Sequence, residues 1–431
     1  MTKRLGFINT RNGTLFRILI ATFGCFPICV NAYSTSSEVN SVYNFSGNIP
    51  PGKHGRLVSA VEIKTQILNA RAWRILYKST DLNDNPVLST GMLIAPIGKP
   101  PSTKRPVVSF AHGTTGIAPI CAPSSINDPA SDPKMYFYPS TDSRNIMDAG
   151  IPGLSKMIAA GYVVVATDYA GLGTPGVHQY LVGPTAARNS LDAITAAQQL
   201  RESGAGKRAV VLGWSQGGQA AVWAAEISDY AENTDLLGVA ALAPVNAAEQ
   251  LKIEKQVLAS GKKLPVMTDA ETLMAKYASA MTFSDLKLSD VFTPFGIEFM
   301  NEASKHQCSK HMSQSMQYMS GQKGSLTRSD PQNQAAWLTR AEQLGIGNQV
   351  AKVPVAVFQG DDDPTIFPAA TEAYIRQACS NGSNVEYRHY PKADHLGVIF
   401  AAESDYLGWI SNRFMNMPIK SDCSKGLQTQ K

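Results

Sequence analysis

Ser215 stands in Gly213-Trp214-Ser215-Gln216-Gly217-Gly218, between the apolar run Ala209 to Gly213 and an alanine-rich stretch. Gly-x-Ser-x-Gly is the pattern of a serine held on a sharp strand-to-helix turn, with its hydroxyl pushed outward. The pattern is weak by itself, because glycine is common. A strand before it and a helix after it are what give it meaning. A serine hydroxyl is a poor nucleophile near neutral pH and needs a histidine within hydrogen-bond reach, oriented by a carboxylate. The chain offers both downstream. Val353 to Gln359 reads as a strand that ends in Gly360-Asp361-Asp362-Asp363-Pro364, and Val385 to Tyr390 as a strand followed by Pro391-Lys392-Ala393-Asp394-His395. Asp363, directly before Pro364, is favoured as the acid. Asp362 is its alternative, and Asp361 and Asp362 otherwise read as solvated turn residues. His395 is the expected base, with Asp394 solvated or capping a helix.

Acyl chemistry also needs donors for an oxyanion. The strand Pro106 to Ala111 leads into His112-Gly113-Thr114-Thr115-Gly116. The backbone N–H groups of Thr114 and of Gln216 are the expected donors, and His112 is read as bracing this loop. His54, His178, His306, His311 and His389 do not stand where the base is expected. Gly171-Leu172-Gly173-Thr174-Pro175-Gly176 matches a dinucleotide fingerprint, but no convincing helix opens there and no acidic residue ends a strand about 20 positions on. It reads as a loop. His306-Gln307-Cys308-Ser309-Lys310-His311 lacks a second ligand cluster and is not read as a metal site. No metal and no cofactor are expected.

The elements that must hold these residues alternate. Further strands are expected at Trp73 to Tyr77, Val87 to Ile97, Tyr162 to Thr167 and Leu237 to Ala243. Helices are expected at Ala186 to Glu202, Gly218 to Tyr230, Ala369 to Cys379 and Val398 to Phe414. Runs such as Val163-Val164-Val165-Ala166 suit strands buried on both faces of a parallel sheet. The alternation predicts an α/β, doubly wound, mostly parallel sheet. It is broken from about Asn246 to Gln349, where the pattern is helical and rich in Met. The expected organisation is a signal peptide (1–32), an irregular lead-in (33–65), the first part of the core (66–245), an inserted helical cap (246–350), and the second part of the core with a C-terminal tail (351–431).

Lys3, Arg4, Arg11 and Arg17 precede an apolar run, Ile18 to Val30, and the small-residue pattern Val30-Asn31-Ala32. This reads as a secretory leader cleaved near Ala32, the alternative being an uncleaved anchor. The formal charge of +5 falls to +1 without those four cations, which removes any electrostatic reason to expect nucleic acid as a partner. With 44% hydrophobic and 17% charged residues, the chain is neither disordered nor fibrous. Beyond the leader, Cys121, Cys308, Cys379 and Cys423 remain, and four cysteines in an exported chain suggest two disulfides, for which the residues alone leave three pairings open.

Taken together, Ala111 to Gly116, Asp168-Tyr169-Ala170-Gly171-Leu172-Gly173-Thr174-Pro175-Gly176, the segment around Ser215, Gly360 to Pro364 and Asp394-His395 resemble the secretory lipase family of α/β hydrolases, the fungal lipase A type with its bacterial relatives. The resemblance runs over roughly residues 50 to 425. It implies the α/β-hydrolase fold and a triad of Ser215, Asp363 and His395. It also implies a helical lid over an acyl-binding tunnel and the disulfides Cys121 to Cys308 and Cys379 to Cys423.

Three functions follow in order of preference. The first is an exported lipase or esterase acting on a small-molecule or lipid ester, with peripheral contact to a lipid interface and no obligate protein partner. The flexible apolar surface of Met267, Met274, Met281, Met300, Met312, Met316 and Met319 suits acyl chains, although core filling explains them as well. The second is a peptidase or amidase with the same triad. The third is a non-catalytic binding protein on a hydrolase scaffold, against which the complete Ser, Asp and His set argues.

Overall fold

Side chains alternate across a strand, so an uninterrupted apolar run can be buried only where both faces of the sheet are covered. In the computed structural model, Val107, Val163, Val165 and Val211 join one apolar cluster with Leu191 and Ile194. Their neighbours Val108, Val164, Val210 and Leu212 join another, with Leu154 and Ile410, on the opposite face. Full burial of each such side chain contributes about 1.5–3 kcal/mol before chain entropy is charged against it. The structure describes residues 42–423 except 44, 46, 127, 134–149, 263–265 and 321–324. The expected leader lies outside them.

The strands are β1 (Leu57–Ile63), β2 (Ala70–Thr80), β3 (Pro86–Pro96), β4 (Arg105–Ala111), β5 (Val163–Thr167), β6 (Ala205–Trp214), β7 (Asp235–Leu242), β8 (Val355–Gly360) and β9 (Val385–Tyr390). They form one nine-stranded sheet in the order β1-β2-β3-β5-β4-β6-β7-β8-β9. The pairs from β1 to β5 at one end are antiparallel. The six strands from β5 through β9 are mutually parallel. The fold is the α/β architecture expected from the sequence. All eight expected strands form, β9 with the expected ends and the others with shifted ends. The lead-in is corrected at Leu57–Ile63, where a half-buried segment pairs with β2 as the sheet edge.

Helices α1 (Leu154–Ala159), α2 (Gly183–Gln199) and α3 (Gln216–Glu226) pack on the sheet. Residues 246–350 hold α4 (Ala247–Ala259), α5 (Val266–Thr282), α6 (Leu288–Val291), α7 (Pro294–His306), α8 (Ser309–Ser320) and α9 (Gln334–Gln343), and no named strand occurs among the described residues there. After β8 come α10 (Pro368–Ser380), α11 (Gly397–Ala401) and α12 (Glu403–Phe414). The helix expected over Val398 to Phe414 is thus two helices that break at Ala402. The helical insertion has its own apolar cluster, built on Met274, Phe292, Met300 and Met312, which also takes in Ile117 and Tyr180 from the sheet side.

In a parallel sheet the loops at the carboxyl ends of the strands open on one edge. Register brings β4 and β6 to that edge side by side, with Ala111 opposite Gly213. Among the described residues, no helix is long and apolar enough to cross a membrane.

Candidate active site

β6 ends at Trp214 and α3 begins at Gln216, so Ser215 alone makes the turn, at φ 59° and ψ −118°. Positive φ is costly for a side chain with a Cβ, on the order of 1–3 kcal/mol, and is held only where the surroundings dictate it. Here the Ser215 N–H donates to Leu242 O at 2.9 Å. The flanking glycines allow the close approach. A Cβ on Gly213 would lie 1.9 Å from Gly217 O, and one on Gly217 the same distance from Ala111 O.

Ser215 Oγ–H donates to His395 Nε2 at 2.9 Å, and His395 Nδ1–H donates to Asp363 Oδ2 at 2.8 Å. All three residues are buried. Asp363 Oδ1 accepts from the N–H groups of Thr365 and Ile366, both at 2.8 Å, which leaves Oδ2 facing the imidazole. Asp361 pairs instead with His389 at the surface, and Asp362 is exposed. Asp394 caps the following turn by accepting from Leu396 and Gly397. Burial by itself lowers the basicity of His395, but the charge and hydrogen bond of Asp363, with Glu271 and Asp394 adding, raise its pKa above the ordinary 6.5. The raised pKa makes the ring a stronger base.

Thr114 lies in the loop after β4, buried, with its hydroxyl 2.7 Å from that of Tyr180. Gln216 heads α3, and the first N–H groups of a helix have no partner within it. His112 is held by its own loop: Nδ1 is 2.5 Å from Gly113 O and Nε2 is 3.2 Å from Asp168 O. Burial pulls this imidazole down to about 4.

Other residues at the site were given no role there from the sequence. Trp214 Nε1–H donates to His395 O at 3.0 Å, and the two rings lie 5.1 Å apart. Gln359 Nε2 donates to Asp363 Oδ2 at 3.2 Å and is itself fixed by Thr371. His178, set aside as a base, lies against Gln216, with Nε2 3.0 Å from its amide nitrogen. Only position in the motif hinted at Trp214, and nothing hinted at Gln359.

Cys121 pairs with Cys308 and Cys379 with Cys423. The loop Gly171 to Gly176 turns back on itself, with Gly171 N–H donating to Thr174 Oγ1, and the next helix opens only at Gly183. No cluster of His, Cys, Asp or Glu among the described residues is arranged to hold a metal.

A cavity of about 340 Å³ with Tyr180, Val245, Leu251, Trp337 and Ile366 in its wall adjoins the site. The backbone N–H of Val245 reaches Ser215 O at 3.4 Å, and Ile366 touches Asp363. Among the described residues no Met is in that wall, and Met274, Met300 and Met312 are buried in the helical insertion's own core. The expectation that these Met residues offer acyl-binding surface is corrected for those three. A larger groove, about 730 Å³, is lined by Arg188, Trp223 and Arg340; among the described residues, neither it nor the smaller cavity has a triad residue in its wall.

A family model described as secretory lipase matches residues 146–422. Among solved structures, the chain is similar to Candida antarctica lipase A in its closed state, with 17% identity, 90% of this chain and 89% of that one covered, and a TM-score of 0.70. It is also similar to a ligand-bound form of the rice cell wall degrading esterase LipA from Xanthomonas oryzae, with 17% identity, 85% and 100% covered and a TM-score of 0.62. A putative hydrolase from Legionella pneumophila gives 14% identity, 85% and 100% covered, and a TM-score of 0.62. Comparison with curated proteins finds no match.

Proposed function

The chain belongs to the secretory lipase family, and from that premise we propose that it is an exported serine hydrolase of carboxylic esters, with Ser215 as nucleophile, His395 as general base and Asp363 as the acid that orients it. Ser215 Oγ attacks the ester carbonyl while its proton passes to His395 Nε2. The negative oxygen of the tetrahedral intermediate is met by the N–H groups of Thr114 and Gln216. Collapse returns the proton from His395 to the leaving alcohol and leaves an acyl-enzyme. Water, deprotonated by the same His395, then releases the acid and frees Ser215.

The observation that carries this reading is the continuous chain from Ser215 Oγ through His395 to Asp363, at 2.9 and 2.8 Å, on a strained elbow. Residues 246–350 act as a cap over the two core segments 66–245 and 351–431, and the cavity beside Ser215 takes the acyl chain of a small-molecule or lipid ester. The closing sides of that cavity come from this insertion, which fits a lid that meets a lipid surface. Export is supported by the leader read near Ala32 and by two cysteine pairs, a usage that suits an oxidising compartment. The reaction asks for no cofactor and no obligate protein partner.

The test is turnover of p-nitrophenyl esters of graded acyl length by the mature protein and by Ser215→Ala. Loss of at least about a thousandfold in the variant is expected. A folded wild type that turns over none of the esters would overturn the reading.

A further inference from the structure

Behind Thr114 and Gln216 runs the segment 168–182, which takes no part in the steps above. Tyr169, at φ 68°, donates its hydroxyl to His112 O at 2.9 Å. Its ring lies 4.5 Å from that of His112 and 5.7 Å from that of His178. A Cβ on Gly171 would fall 2.3 Å from the backbone N of His178, so the loop closes tightly and seats His178 beside Ala170. His178 is only 2% exposed. Its Nδ1 lies 3.1 Å from Ala170 O, and a carbonyl can only accept, so Nδ1 carries the proton. The neutral ring then offers a lone pair at Nε2, and the Gln216 amide donates to it at 3.0 Å. Burial, with His112 nearby, pulls this imidazole down to about 3, which favours the neutral ring.

Two residues further on, the Tyr180 hydroxyl shares a 2.7 Å hydrogen bond with Thr114 Oγ1, and the ring is fixed in the apolar cluster of the helical insertion. One short segment therefore grips, by side chain, both residues whose backbone N–H groups meet the oxyanion in the proposed reaction.

We propose that His178 and Tyr180 are positioning residues for the oxyanion donors, His178 acting through the Gln216 side chain and Tyr180 through the Thr114 hydroxyl. The inference rests on the ester-hydrolase reading. Donors of this kind work only when they are held 2.7–3.1 Å from the oxygen of the intermediate, and supporting contacts supply that precision. Without its anchor, the Gln216 peptide would tilt on the strained turn at Ser215. The cost would fall on the transition state and not on substrate binding.

The experiment combines steady-state kinetics on a p-nitrophenyl ester with inhibition by a trifluoromethyl ketone, which adds to the serine as a tetrahedral adduct. Ser215→Ala comes first: if it retains turnover, the reading of the site fails, separately from the brace. His178→Phe keeps a ring in the stack but removes the acceptor. It is expected to lower kcat about tenfold or more, less than loss of a donor outright, with KM nearly unchanged and ketone binding weakened in parallel. Gln216→Met keeps the backbone N–H and should lose as much, and the double variant should lose no more than either single one. Tyr180→Phe tests the Thr114 side by the same criteria and carries the test with Gln216→Met if His178→Phe does not fold. Unchanged kcat in folded variants, a loss confined to KM, or additive losses in the double variant would overturn the proposal.

Discussion

The two oxygens of Asp363 divide their tasks: Oδ1 takes two backbone N–H groups and Oδ2 takes the imidazole. Asp363→Asn would keep the turn but leave His395 in the wrong tautomer, so kcat should drop by about 10⁴. Asp362→Asn, at an exposed position, should change little. Equal losses in the two variants, measured on one ester, would remove Asp363 from its role. His395 must be neutral to take the serine proton, and its pKa is raised. The pH profile of kcat/KM should therefore climb with pH through a value above 6.5. Glu271, in the cavity wall, adds to that raise, so Glu271→Gln should move the acid limb to lower pH and leave the plateau rate near that of the wild type. A limb that stays in place would show that this carboxylate does not act on the base. Ser215 and His395 were legible because an elbow and a histidine loop after a strand carry local signals. Trp214, Gln359, His178 and Tyr180 were not legible in their roles, because each acts through a contact outside its motif. The bond from Trp214 to His395 joins residues 181 positions apart, and no local pattern records it.

At the scale of elements, continuous apolar runs announced the buried parallel strands, whereas β1 escaped because an edge strand pairs on one side and its burial is only partial. The break at Ala402 also escaped, since the apolar pattern continues across it. What the elbow helix α3 does at its far end was equally hidden. Glu226, its last residue, is buried and accepts the Gly347 N–H at 2.7 Å, tying the helix to the strap that returns from the insertion to β8. Burial pushes this carboxyl from 4.5 up to about 7. A folded-state pKa above the unfolded one gives a contribution to stability that is complete below about pH 4.5 and is lost as pH rises through about 7. Glu226→Gln keeps an acceptor for Gly347 and cannot ionise. It should match the wild type in thermal unfolding near pH 4.5 and exceed it at pH 8, by at most about 3 kcal/mol at 1.36 kcal/mol per pKa unit. A variant less stable at pH 8 would mean that the carboxylate is compensated in a way this account lacks.

For the whole molecule, two disulfides of similar entropic worth have different consequences. Constraining loops of 187 and 44 residues in the unfolded chain contributes about 5 and about 4 kcal/mol on chain-entropy grounds. Cys379–Cys423 joins α10 to the C-terminal tail, away from Ser215. Cys121–Cys308 instead joins the segment after the oxyanion loop to the helical insertion, where Gly116 bridges to Cys308 and Ser309 N–H donates to Thr115 O at 2.9 Å. That cross-link fixes the insertion beside Thr114. Replacing Cys379 and Cys423 together by Ala should lower Tm and leave kcat and KM unchanged. Replacing Cys121 and Cys308 should lower Tm by at least as much and also reduce kcat, because the insertion that seats Tyr180 gains freedom beside the oxyanion loop. Ester kinetics recorded well below each variant's Tm separate the two effects. If the Cys121 and Cys308 variant turned over ester at the wild-type rate, the insertion would be positioned by its apolar contacts alone, and the cross-link would serve only the stability of the chain.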